Sequence, residues 1–122
     1  MAAKDELGRR GEDIAVRYLQ DKGLVVLDRN WRCRDGEIDV VATERTRESS
    51  RLVVCEIKTR SGTRYGEPTE AVTGLKAHRI RQVTRAWLAA HRVGWCEIRF
   101  DVVAVLMRPG REVTLQHVEG AF

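Results

Sequence analysis

The chain has 122 residues, 43% hydrophobic and 33% charged, with Lys+Arg 22 against Asp+Glu 18. That length suits one domain, residues 1–122, and the apolar fraction excludes a disordered chain, as ten Gly with two Pro exclude a fibrous one. No apolar run approaches the roughly 20 residues that cross a bilayer, so no membrane partner is expected. The start, Met-Ala-Ala-Lys-Asp-Glu-Leu, is charged and carries no apolar signal region. Cys33, Cys55 and Cys96 are odd in number and widely spaced with no C-x-x-C pair, which fits reduced thiols and a cytoplasmic location.

Leu7, Gly11, Ile14, Ala15, Tyr18 and Leu19 recur at helical spacing, which predicts an amphipathic helix over residues 5–22 ending at Gly23. Residues 24–27 read as a short first strand that runs into polar Asp28-Arg29-Asn30. Asp35-Gly36 signals a hairpin turn, and residues 37–42 read as a second strand. Residues 43–50 are polar and read as a loop, and residues 51–58 form a third strand by their β-branched content. Residues 59–67 read as a loop carrying Gly62 and Gly66. Pro68 suits a helix start, and a helical region reaches about residue 92, with Gly74 as a break and Ile80, Val83, Trp87 and Ala90 as its apolar stripe. Residues 98–106 form a valine-rich fourth strand, Pro109-Gly110 a turn, and residues 112–118 a last short strand. Trp31, Trp87 and Trp95 are assigned to the core. Three strands with short connections favour an antiparallel meander, and a helical crossover can bring in a parallel neighbour. The fold class is α/β, a mixed sheet flanked by helices in the order α-β-β-β-α-β-β.

Ionisable groups fall where strands should bury apolar ones. Alternation puts Val53, Cys55 and Ile57 on one face of the third strand and Val54, Glu56 and Lys58 on the other. In the second strand it groups Ile38, Val40 and Ala42 against Glu37, Asp39 and Val41. Charges in a half-buried strand pair are costly unless compensated, and a divalent cation would compensate two carboxylates. A hairpin between these strands brings Asp39 beside Glu56, with Lys58 on the same face as Glu56. Mg²⁺ takes oxygen ligands of this kind, and an Asp-Glu-Lys set is sufficient for metal-assisted attack of water on a phosphodiester. Turn chemistry at Gly-Glu-Ile-Asp and an exposed ion-paired edge at Glu-Ile-Lys are the bland alternatives.

The succession Gly11-Glu12, Asn30, Gly36-Glu37-Ile38-Asp39 and Glu56-Ile57-Lys58-Thr59-Arg60, continued by Gly66, Glu70-Ala71-Val72, Lys76 and Arg99-Phe100-Asp101-Val102, resembles the YraN-like family of small bacterial proteins. That family is similar to the restriction-endonuclease-like, PD-(D/E)XK, nuclease superfamily, which includes Holliday junction resolvases. The resemblance implies a restriction-endonuclease-like core with catalytic Glu12, Asp39, Glu56 and Lys58. It implies Mg²⁺ or Mn²⁺ held by Asp39, Glu56 and the Ile57 carbonyl, and a DNA substrate that is branched or processed. Glu12 as a solvated surface acid and Glu37 as a turn residue stay open as alternatives.

Between Gly74 and Arg92 stand Lys76, Arg79, Arg81, Arg85 and Arg92 with no acid among them. Lys76, Arg79, Arg81 and Arg85 offer a helix face that can neutralise nucleic-acid phosphates, DNA or RNA, without reading sequence. Arg60 and Arg64, after the third strand, could clamp the substrate, and Tyr65 could stack on a base. His78, His91 and His117 are scattered and form no zinc motif. Asp101 calls for a structural partner such as an arginine. One metal centre cuts one strand, so cutting both implies a homodimer. The rival class is a non-catalytic nucleic-acid-binding module or adaptor that keeps the nuclease fold.

Overall fold

A computed structural model describes residues 2–62 and 72–122, with side chains from residue 6 onward. The helix α1 (Ala2–Asp21) leads into three strands, β1 (Val25–Cys33), β2 (Gly36–Arg45) and β3 (Ser50–Arg60). The helix α2 (Gly74–Ala90) crosses over to β4 (Ile98–Leu106) and β5 (Thr114–Val118). The five strands form one sheet in chain order, β1-β2-β3-β4-β5. β1–β2, β2–β3 and β4–β5 are antiparallel, and β3–β4 is parallel, as a helical crossover requires. The sequence expectation of an α/β fold with a mixed sheet therefore holds.

Several boundaries differ, each for a local reason. β1 continues through Asp28-Arg29-Asn30 to Cys33, because an edge strand exposes alternate residues to water and tolerates a polar run. β2 extends to Arg45 and β3 begins at Ser50, so the expected loop over 43–50 shrinks to residues 46–49. That turn is closed by the Thr46 amide donating to the Ser49 carbonyl at 2.7 Å. The longer helical piece opens at Gly74 as α2, where the Thr73 hydroxyl accepts from the Lys76 amide as an N-cap. The last strand starts at Thr114 rather than residue 112. The helix piece expected from Pro68, with Arg64 and Tyr65, lies outside the described residues.

The sheet buries a cluster on each face. Ala15, Val16 and Leu19 of α1 pack on Val40, Ala42, Val53, Cys55, Val103 and Val105. Ile80, Val83 and Trp87 of α2 pack on Ile38, Val41, Leu52 and Val54. Ile38 thus shares a cluster with Val41 and not with Val40 and Ala42, which corrects the alternation expected for β2. The slip falls at Asp39, and the facing residue of β1, Asn30, has a left-handed φ of 52° between the pairs Arg29↔Val40 and Trp31↔Ile38. Trp95 is also corrected: it is 95% exposed, in the connection between α2 and β4, where no element covers it. Trp87 is buried as expected and donates to Asp28 Oδ2 at 3.0 Å, tying α2 to β1.

Glycine at position 11 sets how closely α1 lies on the sheet. A Cβ there would fall inside the Thr59 side chain, so only glycine lets the helix approach β3 at this point. The neighbouring residue, Glu12, is carried to the sheet by that approach.

Asp101 finds the arginine that the sequence left unnamed. Arg99 grips both of its oxygens, Nε to Oδ1 at 2.8 Å and Nη2 to Oδ2 at 2.9 Å. His117 Nε2 lies 2.7 Å from Oδ2, and the Gly120 amide donates to Oδ1 at 3.0 Å. Tyr18 of α1 reaches His117 Nδ1 at 3.0 Å, so one buried carboxylate joins β4, β5, α1 and the residues after β5. Burial alone would raise the Asp101 pKa, but the bonds from His117, Arg99 and Gly120 outweigh it and bring it down to about 2.

Candidate metal and nucleic-acid site

The ladder between β2 and β3 runs from Arg45↔Ser50 to Val40↔Cys55 and ends there. Beyond it the strands part, and the Ile57 amide donates to Asp39 Oδ2 at 2.8 Å instead of to a β2 carbonyl. β3 meanwhile stays paired with β4 through Glu56↔Val102, Ile57↔Val103 and Lys58↔Ala104. The sheet therefore forks at Asp39, and the acid occupies the fork. A groove of about 700 Å³ opens at this point, lined by Leu7, Gly8, Glu12, Asn30, Glu37, Asp39, Ile57, Thr59, Arg60 and Ser61.

Glu56 and Lys58 point to the α2 side of β3, as alternation predicts. Glu56 is only 5% exposed. Its Oε1 lies 3.9 Å from Lys58 Nζ and 3.8 Å from Lys76 Nζ, while its Oε2 is buried with no hydrogen-bond partner among the described residues. Burial first, and then repulsion from Asp39, push the Glu56 carboxyl up to about 7 against the lowering effects of Lys58 and Lys76. Burial also raises Asp39, against the lowering effects of the Ile57 amide and Lys58, and Glu12 and Glu37 add repulsion. Burial, followed by the neighbouring Lys76, brings Lys58 down to about 8. Asp39, held by the amide of Ile57, is thus a neighbour of Glu56 at the fork.

Glu12 is not a solvated surface acid. Its Oε1 accepts from Arg29 Nε at 3.1 Å, Arg29 Nη2 at 2.9 Å and Asn30 Nδ2 at 2.7 Å, which hold it at the groove wall. Arg29 and Asn30 hold this carboxylate in place, and charge patterning did not single out either of them. Asn30 carried a signal, since asparagine is among the few residues that accept a left-handed φ readily. Glu37 takes the turn role: it pairs with Arg32 across the hairpin, Nε to Oε2 at 2.8 Å, and also lines the groove.

The basic residues of α2 do not form one face. With about 3.6 residues per turn, Lys76 and Arg79 lie on one flank of the buried stripe and Arg81 and Arg85 on the other. Lys76 reaches Glu56, and the Arg79 stem lies against the turn at Gly36. The Arg81 guanidinium sits 5.2 Å from the Phe100 ring centroid and 5.9 Å from that of Phe122, and Arg85 is exposed. Arg60 lines the groove, whereas Arg64 lies outside the described residues.

Among the described residues, no three His, Cys, Asp or Glu side chains form a ready metal cage. The donor set fits a hard divalent cation in another way. Two carboxylates meet, and one buried oxygen, Glu56 Oε2, has nothing to bond. Mg²⁺ typically takes one or two carboxylates and completes its shell with water and phosphate. Among the described residues no helix is long and apolar enough to cross a membrane.

Fold and site together define a small α/β protein with a forked mixed sheet, an acid-lined groove at the fork and a buried Glu56 with Lys58 and Lys76 beside it. Residues 11–105 match the uncharacterised protein family UPF0102. The UPF0102 protein of Frankia alni is 52% identical over 122 residues, covering 100% of this chain and 98% of that one. That of Kineococcus radiotolerans is 52% identical over 119 residues, 97% and 94% of the two chains, and that of Nocardia farcinica 44% over 119 residues, 98% and 91%. The chain belongs to the UPF0102 family, the YraN-like proteins of bacteria.

Proposed function

We propose that this protein is a metal-dependent nuclease of restriction-endonuclease-like fold that hydrolyses phosphodiester bonds in DNA, including branched or processed intermediates. The observation that carries the reading is the meeting of Asp39, Glu56 and Lys58 at the fork, with Glu56 Oε2 buried and unbonded. Asp39, Glu56 and the Ile57 carbonyl would hold Mg²⁺ or Mn²⁺. A divalent cation at these oxygens supplies Lewis-acid polarisation of the phosphate and acidifies water. Lys58 Nζ, with its pKa brought down to about 8, orients the attacking water and balances charge that develops on the phosphate. Glu12, fixed by Arg29 and Asn30, lines the groove together with Asp39 and Ile57 and steadies the site's hydrogen bonding there. Hydrolysis adds the water oxygen to phosphorus, breaks one P–O ester bond and leaves a phosphate end and a hydroxyl end. Lys76, Arg79 and Arg60 contact the substrate backbone. One site cuts one strand, and a homodimer would cut both. The cytoplasm is the compartment that suits such a substrate.

The second reading, a non-catalytic nucleic-acid-binding module or adaptor, draws on one observation: Lys58 and Lys76 already stand within 4 Å of Glu56, at 3.9 and 3.8 Å, and balance its charge without a metal. Cleavage of labelled single-stranded, duplex, flap and four-way-junction DNA, in Mg²⁺, Mn²⁺ or EDTA, separates the two. The nuclease reading expects metal-dependent cutting that falls about a hundredfold or more in Asp39→Ala and Lys58→Ala. It also expects Mg²⁺ to raise the melting temperature of the wild type and not of Asp39→Ala. No cutting, no Mg²⁺ shift and unchanged binding in both variants would select the non-catalytic reading.

A further inference from the structure

A second concavity, about 360 Å³, lies beside the groove and shares Glu37 with it as a wall. It is built from the tip of the β1–β2 hairpin, Arg32 to Glu37, and from Arg79 of α2. Two features make its geometry definite. Gly36 has φ +144°, a backbone state that side chains rarely adopt, and its turn lies against Val83 and the aliphatic stem of Arg79. The hairpin tip is thus seated on α2, and guanidiniums from two elements are brought to one place. Within it the charges are unequal. Arg32 is spent on Glu37 at 2.8 Å, whereas Arg34 and Arg79, both exposed, have no carboxylate partner among the described residues. Asp35, at the turn, is the remaining acid in the lining.

We infer that Arg34 and Arg79 form a second phosphate subsite, which grips the nucleic-acid backbone beside the phosphate being cut. The inference rests on the nuclease reading and extends it to residues of the hairpin. A guanidinium fork matches phosphate oxygens in two-point contact, and two forks from different elements fix the direction of a strand as well as its position. Lys76 and Arg79 stand one helical turn apart on the same flank of α2, so the cationic track runs from Glu56 and Lys58, past Lys76, to Arg79 and Arg34. Arg81 lies off this track, over Phe100 and Phe122. The subsite touches phosphate and no base edge, so it confers no sequence preference.

The test is salt-dependent binding of fluorescent single-stranded and duplex DNA to the full chain in EDTA, where no cutting occurs. Arg34→Gln, Arg79→Gln and the double variant keep the side-chain stems and remove the charge, and circular dichroism confirms that each is folded. Arg47→Gln, in the exposed turn between β2 and β3, controls for net charge. The expected result is weaker binding in each single variant, with the log-log salt slope reduced by about 0.7–0.9 per lost contact, equally for oligonucleotides of different sequence. Salt slopes in Arg34→Gln and Arg79→Gln equal to that of Arg47→Gln, with wild-type binding and metal-dependent cutting intact, would overturn the subsite alone. Loss that follows Arg85→Gln instead would do the same and move the track to the other flank. Wild-type protein that neither binds nor cuts would overturn the subsite together with the nuclease reading.

Discussion

Glu56 and Asp101 sit on neighbouring parallel strands, one register step apart in the pairs Cys55↔Asp101 and Glu56↔Val102. Both are buried, at 5% and 0% exposure. They face opposite sides of the sheet and are treated in opposite ways. Asp101 receives two bonds from Arg99, one from Gly120 and a close His117 nitrogen, and its pKa falls to about 2. Glu56 has two ammonium groups at the edge of ion-pair distance, a carboxylate for a neighbour and one oxygen without a bond, and its pKa rises to about 7. A carboxylate buried for structure is saturated by its surroundings. One left short of donors is suited to a ligand that brings its own positive charge.

The sharpest way to break this contrast is to neutralise each acid in turn. Asp101→Asn removes the buried anion on which Arg99, His117 and the Gly120 amide converge, leaving Arg99 its contacts with Glu44 and Glu119, and should cost about 1.5–3 kcal/mol in urea unfolding. A loss below about 1 kcal/mol would mean that the Asp101 cluster does not hold the sheet together. Acid titration of the wild type probes the same group more gently. Because the folded pKa of Asp101 is depressed from 3.8 to about 2, its contribution is fully present above pH 4 and disappears as the pH falls through about 2. That contribution is about 2 kcal/mol, and it should be missing from the acid limb of the Asp101→Asn stability curve. Glu56→Gln should move stability the other way by a smaller amount, a gain of about 1 kcal/mol near pH 8 in EDTA. The sign follows from a folded pKa raised from 4.5 to about 7: ionising Glu56 weakens the fold as the pH rises through that interval, so the gain should shrink as the pH is lowered toward 4.5. Clear destabilisation by Glu56→Gln at pH 8 would show that the two lysines already satisfy the carboxylate.

Strand alternation, a hairpin turn and the improbable charges on half-buried strands were enough to bring Asp39, Glu56 and Lys58 together from sequence. The element order and the parallel crossover were legible for the same reason, since each depends on local pattern. What escaped depends on tertiary geometry. The one-residue slip of β2 at Asp39 lies across the ladder from the left-handed Asn30, a pairing that no periodicity reports. Lys76 read as one of four cations on a solvated face, because helical spacing does not say which flank will meet Glu56. The partners of Asp101 lie two residues back, at Arg99, and sixteen residues ahead, at His117. Only the first of these could be searched for along a single strand.

Because the sheet follows chain order, the molecule also has an order of assembly. Every antiparallel pair joins strands adjacent in sequence, and a single long closure, through α2, attaches β4 to β3. Glu12, Asp39, Glu56 and Lys58 all belong to the first half of the chain, in a helix and a meander that close over short loops. The Asp101 cluster draws on β4, β5 and Gly120, all of which leave the ribosome after that half. The emerging chain thus gathers three acids and Lys58 before it acquires the bonds that lock the sheet, and β4 and β5 serve as the fastening for a site already laid out.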